Sequence, residues 1–375
     1  EPLAVHEAVV LVDEEELSVS RDPGLGQLTA VELPYREALD RAVRDPGDAE
    51  AHRRNLAAAP VGSRRSVRSS LRLTRKQILS FRRRVGGLGE RLPTSAESLR
   101  RAAWAGLQDS MPRAALLSLH ARLEGVGPST WEDPSLAQLW GPRYNAYVVP
   151  KADFGLFSLG RLPDNSKGRE RAERMAELLH SHLRGTRQTD REIGRAIGIG
   201  NAMRYAATTG TVAIRWEGAR APVVWTVAAA EIEPADACRE LARRYLHVFG
   251  PATAPGFARW AGISRRSAAN AFASLEESLL SVRSPLGDEW LLEDDEPAVR
   301  SHEAPDAPAR LLPSGDAYFL LHGAERGLLV PQADRRQLLW TSRVWPGALL
   351  VDGEIRGTWR RAQHTVRVDA WGRLS

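Results

Sequence analysis

One cysteine, Cys238, stands in the whole chain. No intrachain disulfide can form, and zinc sites built on four cysteines, or on two cysteines and two histidines, are excluded. Cys238 falls on the apolar stripe of an expected helix, the usual setting of a buried, inert thiol. No run of eighteen apolar residues occurs, so no transmembrane helix is expected. The apolar segment 8–12 is too short for a secretory signal and runs into Asp13-Glu14-Glu15-Glu16, so a cytoplasmic chain is expected. A glycine-rich phosphate loop with its lysine is missing, as is a His-Glu-x-x-His helix, and the nine histidines are scattered. A Walker ATPase and a zinc hydrolase are therefore unsupported, and neither metal nor organic cofactor is expected. Lysine is nearly missing too. Of 52 basic residues only Lys76, Lys151 and Lys167 are lysines; the rest are arginines, whose planar fork suits phosphate.

The charge is unevenly spread. Residues 1–70 carry nine arginines against thirteen acids, so the net charge of +5 comes from a more basic remainder. A net-basic folded body attracts polyanions. Within 1–70, Asp45-Pro46-Gly47-Asp48 reads as a turn and 62–70 as a Gly/Ser/Arg linker, giving a loosely ordered N-terminal arm. The remaining length and the 43% hydrophobic content support several cored modules.

From Leu73 onward one pattern recurs. It is clearest over 233–300. Residues 234–249 form an expected helix, with Cys238, Leu241, Tyr245 and Val248 on one stripe. A short helix follows at 254–260, then the tight turn Ala261-Gly262-Ile263 and a third helix, 265–276, capped by Ser264. Strands at 279–282 and 289–292 close the unit as a winged helix-turn-helix. A second copy spans 166–232: helix 169–183, Thr189 capping 190–197, a Gly-turn, helix 201–206, and a wing of 211–216 and 223–227. A first copy spans 71–165: Thr74 caps a helix running to Val85, then helices 94–103 and 112–123 and a hairpin of 144–149 with 154–158. The tail 301–375 reads as a β-rich module, with strands at 317–321, 327–330, 348–351, 354–359 and 365–368. The expected fold is mainly α with β: three tandem winged helix-turn-helix modules and a C-terminal β-rich module.

Each polar cluster has a functional and a structural reading. Arg265, Arg266 and Asn270 sit on the recognition-like helix of the third copy, where they could read bases or hold phosphates; a solvated helix face is the alternative. Arg143, Lys151, Arg161 and Arg169 surround the first hairpin, where wing residues grip phosphate or simply carry dispersed surface charge. Trp359-Arg360-Arg361 follows a strand, and Trp340 and Trp345 flank an apolar segment; stacking on bases competes with burial in the β-module. The densest signal is Gln108-Asp109-Ser110, just ahead of Pro112-Arg113 and an apolar helix. Asp109 or Ser110 can cap that helix with Pro112 in its first turn. Capping does not account for Gln108, nor for Arg113 beside it.

Gly106-Leu107-Gln108, followed by Pro112-Arg113-Ala114, resembles the catalytic region of AlkZ/YcaQ-type DNA glycosylases, bacterial winged-helix enzymes of alkylation and crosslink repair. The likeness continues through Leu311-Leu312-Pro313-Ser314-Gly315-Asp316, then Leu350-Val351-Asp352-Gly353 and Gly357-Thr358-Trp359-Arg360. It covers roughly 71–375. The resemblance implies three tandem winged helices with a β-rich end, forming a basic concave surface. The family motif is Gln, any residue, then Gln or Asp, a pair implied to hold water near the sugar's anomeric carbon. Gln108 matches the first position; Ser110 departs at the third, and an acid stands instead at Asp109. A cationic alkylated purine is a good leaving group, so a weak water-positioning amide suffices. Asp109 could polarise the water or stabilise an oxocarbenium-like sugar. The leading expectation is a monofunctional DNA glycosylase, monomeric and acting on bulky or crosslinked alkylated purines in double-stranded DNA. Catalysis would rest on Gln108, Asp109 and Ser110. DNA contacts would come from Arg113, Arg143, Lys151, Arg265, Arg266, Asn270 and Arg360. A non-catalytic winged-helix DNA-binding protein, either regulator or lesion-sequestering resistance factor, is the alternative.

Overall fold

A computed structural model describes residues 6–11, 71–218, 220–301, 308–342, 344–362 and 365–372. Helices alternate with small sheets, a mixed α and β architecture. Among the described residues no helix is long and apolar enough to cross a membrane. Of the N-terminal arm, β1 (His6–Leu11) is described, and it pairs antiparallel with a strand of the C-terminal sheet. The rest of that expected arm lies outside the described residues.

β2 (Leu71–Arg72) leads into α1 (Arg75–Val85). Thr74 and Gln77 form a reciprocal capping box, as Thr-x-x-Gln ahead of an apolar run predicts. The apolar face of α1 then does something its sequence does not announce. Ile78 and Phe81 bury against Val282, Leu291 and Val299, far along the chain, and β2 pairs in parallel with the strand holding Val282. The helix expected to open the first copy thus covers the hairpin of the third.

β3 (Leu92–Pro93), α2 (Ala96–Ala102), β4 (Leu107–Gln108), α3 (Ala114–His120) and β5 (Leu123–Glu124) come next. Leu99, Leu107, Ala115, Leu119 and Leu123 share one core with Leu136 and Val148. The last two belong to β6 (Leu136–Trp140) and β7 (Ala146–Pro150), which form the hairpin here. The expected hairpin partner, 154–158, is instead helical: α4 (Phe154–Leu159) buries Leu156 and Phe157. A six-residue apolar run has no period of its own. The choice fell to the 3-10 turn Lys151–Asp153, which turns the chain into a helix.

The second core is built by α5 (Ser166–Leu183), β8 (Gln188–Thr189), α6 (Asp190–Ile197), the 3-10 run Gly200–Thr209, β9 (Val212–Arg215) and β10 (Val223–Thr226). Leu179, Leu183, Ile193, Met203, Ile214 and Val224 are its buried members. The segment expected as an α-helix at 201–206 is this 3-10 run.

α7 (Pro234–Phe249), α8 (Ala254–Ala261), α9 (Arg265–Ala273), β11 (Leu279–Ser284) and β12 (Gly287–Leu292) follow as expected, with α9 ending three residues early. Gly262 closes α8 at φ +73° and Ser264 caps α9, an αL stop and a hydroxyl start. Tyr245, Phe249, Phe257 and Trp260 pack ring against ring in the largest core. Cys238 packs at its edge, and burial pushes its thiol up to about 11, a poor nucleophile.

α10 (Glu296–Arg300) precedes the tail, which holds β13 (Arg310–Leu312), α11 (Glu325–Leu329), α12 (Ala333–Leu339), β14 (Gly347–Val351), β15 (Glu354–Ala362) and β16 (Thr365–Ala370). Its sheet runs β1-β16-β15-β14-β13. The strands expected at 317–321 and 327–330 are a 3-10 turn and α11. The tryptophans read as either base-stacking or buried in the β-module are tied into the protein: Trp340 Nε1 donates to the Phe319 carbonyl and Trp359 Nε1 to that of Leu312.

Candidate active site

Gln108 ends the two-residue strand β4, directly across from Tyr147 of β7. Gly106 lets the chain enter this strand: it has φ +73°, and a Cβ there would lie 3.0 Å from both Phe157 and Tyr147. Leu107 of β4 packs in the core shared with α3, and the next residue, the half-buried Gln108, lies on the other face of the strand. Its Oε1 accepts from Arg143 Nη2 at 3.2 Å and from the Tyr147 hydroxyl at 3.3 Å, and its Nε2 donates to Ser110 Oγ at 2.9 Å.

A glycine covers the amide. A Cβ on Gly315, whose φ is +79°, would lie 3.2 Å from Gln108 Nε2. The adjacent Asp316 anchors this loop. It is 2% exposed and pairs with both arms of the Arg122 fork at 2.7 and 2.9 Å, while accepting from Ser118 Oγ and the Tyr318 amide. Burial alone would raise its pKa; the Arg122 charge and these hydrogen bonds outweigh that and hold it below the usual carboxylate range.

Arg143 lies in the β6–β7 connection with φ 56°, and Tyr144 beside it has φ 58°. Gly262, at the end of α8, approaches its backbone so closely that a Cβ would stand 3.0 Å from the Arg143 nitrogen. Arg143 Nη1 meets His322 Nε2 at 2.7 Å. Burial, then the charges of Arg143, Arg326 and Arg259, push the His322 imidazole down to about 3, so the neutral ring accepts this hydrogen bond.

Asp109 points the other way. At 4% exposed, its Oδ1 accepts from the Ala115 amide at 3.0 Å and its Oδ2 from Gln138 Nε2 at 2.8 Å. Gln138 also accepts from the Trp216 amide. The expectation that Asp109 could polarise water or stabilise the sugar is therefore corrected, because both of its oxygens face inward. So is the simple capping scheme. A turn over 111–113 intervenes, Arg113 occupies the helix N-cap position in the left-handed region, and Pro112 precedes α3. Asp109 caps from six residues upstream. Burial, offset in part by the Ala115 amide and Arg113, raises its pKa to about 6. A carboxyl raised from 3.8 to about 6 makes folding take up a proton, so stability falls as pH rises through that window, by about 3 kcal/mol in all. Asp109→Asn should abolish that slope. Urea unfolding of both proteins between pH 4.5 and 7.5 measures it, and parallel curves would refute the assignment.

The other expected residues are dispersed. Arg113 stacks on Trp131 with its guanidinium 4.3 Å from the ring centre, and Arg215 lies 3.7 Å from the same ring. Arg113 and Arg215 thus share the Trp131 ring. Arg143 serves Gln108. The buried Arg161 donates to the carbonyls of Ala261 and Trp140. Lys151, Arg265, Arg266, Asn270 and Arg360 are exposed; Arg266 lies 3.6 Å from Asp164, and Arg360 donates to the Val344 carbonyl. The side chains that hydrogen-bond Gln108 are Ser110, Arg143 and Tyr147. Tyr147 and His322 escaped the sequence reading. Tyr147 was hidden as one more apolar residue of a strand, and His322 lies 179 residues from the arginine it meets.

A protein-family model described as DNA glycosylase AlkZ-like matches residues 100–375. Comparison with curated proteins returned no match. Among solved structures, the Streptomyces sahachiroi DNA glycosylase AlkZ is similar, with a TM-score of 0.65. The likeness covers 78% of this chain and 89% of that one at 18% identity, and shows a shared fold. The family match takes in Gln108, Arg143, Gly315 and His322, and the chain belongs to the AlkZ-like DNA glycosylase family.

Proposed function

We propose that the chain is a monofunctional DNA glycosylase that hydrolyses the N-glycosidic bond of bulky or crosslinked alkylated purines. The observation that carries this reading is the Gln108 amide, partly exposed and with its oxygen held by Arg143 and Tyr147. Its Oε1 is already engaged by two donors. Its Nε2 carries a second N–H beyond the one given to Ser110, and that N–H can hold a water. Ring alkylation leaves the purine cationic. The C1′–N9 bond then breaks with its electron pair going to N9, which neutralises the base. Water oxygen bonds to C1′ and its proton passes to solvent. Such a leaving group needs positioning more than a strong base.

The winged-helix reading belongs to this proposal. It takes the α7–α8–α9–β11–β12 and α5–β10 segments as winged helices, and the segment around α2, α3, β6 and β7 as a third. The exposed Lys151, Arg265, Arg266, Asn270 and Arg360 are its DNA contacts, mostly to phosphate. The test is incubation with duplex DNA carrying N7-alkylguanine or a nitrogen-mustard crosslink. Free base should appear, with alkali-labile strand breaks at the same position. No release after hours at saturating protein would reject the reading. A non-catalytic lesion-binding protein is favoured by one observation, Ser110 at the motif position where the family carries Gln or Asp. It predicts salt-sensitive binding without base release.

A further inference from the structure

The amide of Gln108 has two orientations that differ by exchanging oxygen and nitrogen, and only one presents an N–H beside Ser110. Ser110 cannot choose between them, because a hydroxyl donates or accepts. The Tyr147 hydroxyl has the same ambivalence. A guanidinium only donates, so Arg143 Nη2, 3.2 Å from the amide, is the partner that demands oxygen on its side. Arg143 is itself held by its other arm, at 2.7 Å from His322 Nε2. The guanidinium is planar, so fixing Nη1 fixes the direction of Nη2. The backbone adds to this: Arg143 and Tyr144 both sit in the left-handed region, and Gly262 packs on the Arg143 nitrogen. Strained non-glycine residues persist where the surroundings over-determine them. The groups around His322 are Arg143, Arg326 and Arg259, with Glu325 accepting from its backbone amide at 3.4 Å.

We propose that His322, by accepting from Arg143, is a positioning residue of the glycosylase reaction: it locks Arg143 so that the Gln108 amide presents nitrogen toward Ser110 and the attacking water. The proposal rests on the glycosylase reading and adds to it a residue of the C-terminal segment, ahead of α11, that touches no reacting atom. Loss of the lock leaves the amide free to turn over, because Ser110 then donates to Oε1 at little cost.

The variants His322→Leu and His322→Gln separate positioning from folding. Glutamine can accept from Arg143 through its side-chain oxygen and leucine cannot. In single-turnover release of N7-alkylguanine, His322→Leu should be about 100-fold slower with unchanged DNA affinity. His322→Gln should return to within about threefold of the parent. A His322→Leu rate within about twofold of the parent, or a His322→Gln as slow as His322→Leu, overturns the proposal. So does a rate loss that only follows a lowered melting temperature. The side-chain amide resonances of Gln108 in glutamine-labelled protein, assigned with Gln108→Glu, supply a readout without activity. They should shift in His322→Leu and return in His322→Gln; unchanged resonances reject the lock. If the parent releases no base from any probe, the glycosylase reading fails, and the resonances still decide whether His322 orients the amide.

Discussion

Gln108→Ala should slow base release from N7-alkylguanine DNA by about 10²–10³-fold, the usual cost of removing one positioned polar group from a reacting centre. The truncation also leaves Arg143 Nη2 and the Tyr147 hydroxyl without the acceptor they share. Unpartnered donors near the interior cost about 1–3 kcal/mol each, so some of the lost rate could reflect loosening. Gln108→Glu removes that ambiguity. It keeps the shape, pairs a carboxylate with Arg143, and replaces the Nε2 donor with an acceptor. It should melt no lower than the parent and still lose about as much activity as alanine. The check is single-turnover release at saturating protein beside thermal unfolding of all three proteins. A Gln108→Glu variant with parental rate would show that the amide nitrogen takes no part.

The second large effect is on stability. Arg122→Met should destabilise the chain by about 3–5 kcal/mol at neutral pH, because it leaves Asp316 buried without its counter-ion. The sign with pH is specific. In the parent the Asp316 pKa lies below its unfolded value, so its contribution is complete above about 4 and is lost as pH falls through the lower folded value. In Arg122→Met burial is no longer opposed and the folded pKa lies above the unfolded one, so the variant loses stability as pH rises past about 4. The gap between the two proteins should therefore widen with pH, as denaturant unfolding at pH 4 and pH 7 can measure. A constant gap would mean that Arg122 acts through packing alone. Because Gly315 precedes Asp316 and covers Gln108, the variant should also release base more slowly well below its melting temperature.

Legibility followed the range of the interaction. The capping boxes at Thr74 and Thr189, the Ser264 cap and the stop at Gly262 are local, complete within one turn, and were readable. So was the stripe of α7. The segments 154–158 and 327–330 failed for the same reason: short apolar runs take the conformation that their neighbours cover best. The first module misled in another way. Its helix α1 has an ordinary amphipathic face, and nothing in that face names β11 and β12 as the partner.

For the site, Gln108 stood out because capping did not require it, and Gly315-Asp316 because of its resemblance to a repair-enzyme segment. Asp109 carries both a capping and a catalytic reading in the sequence, and its carboxylate reaches the Ala115 amide of α3 and Gln138 inside the protein. Arg113, next to the motif, turned to Trp131.

By itself the sequence determined the inventory: arginine in place of lysine, one inert thiol, capped helices, and one glutamine that no local rule explains. Only the tertiary structure decided which groups meet. The Gln108 amide takes its orientation from residues 35, 39 and, through Arg143, a further 179 positions away. Hydrogen-bond polarity depends on contacts of a few ångströms, and the order of residues along a chain does not encode those contacts until side chains pack.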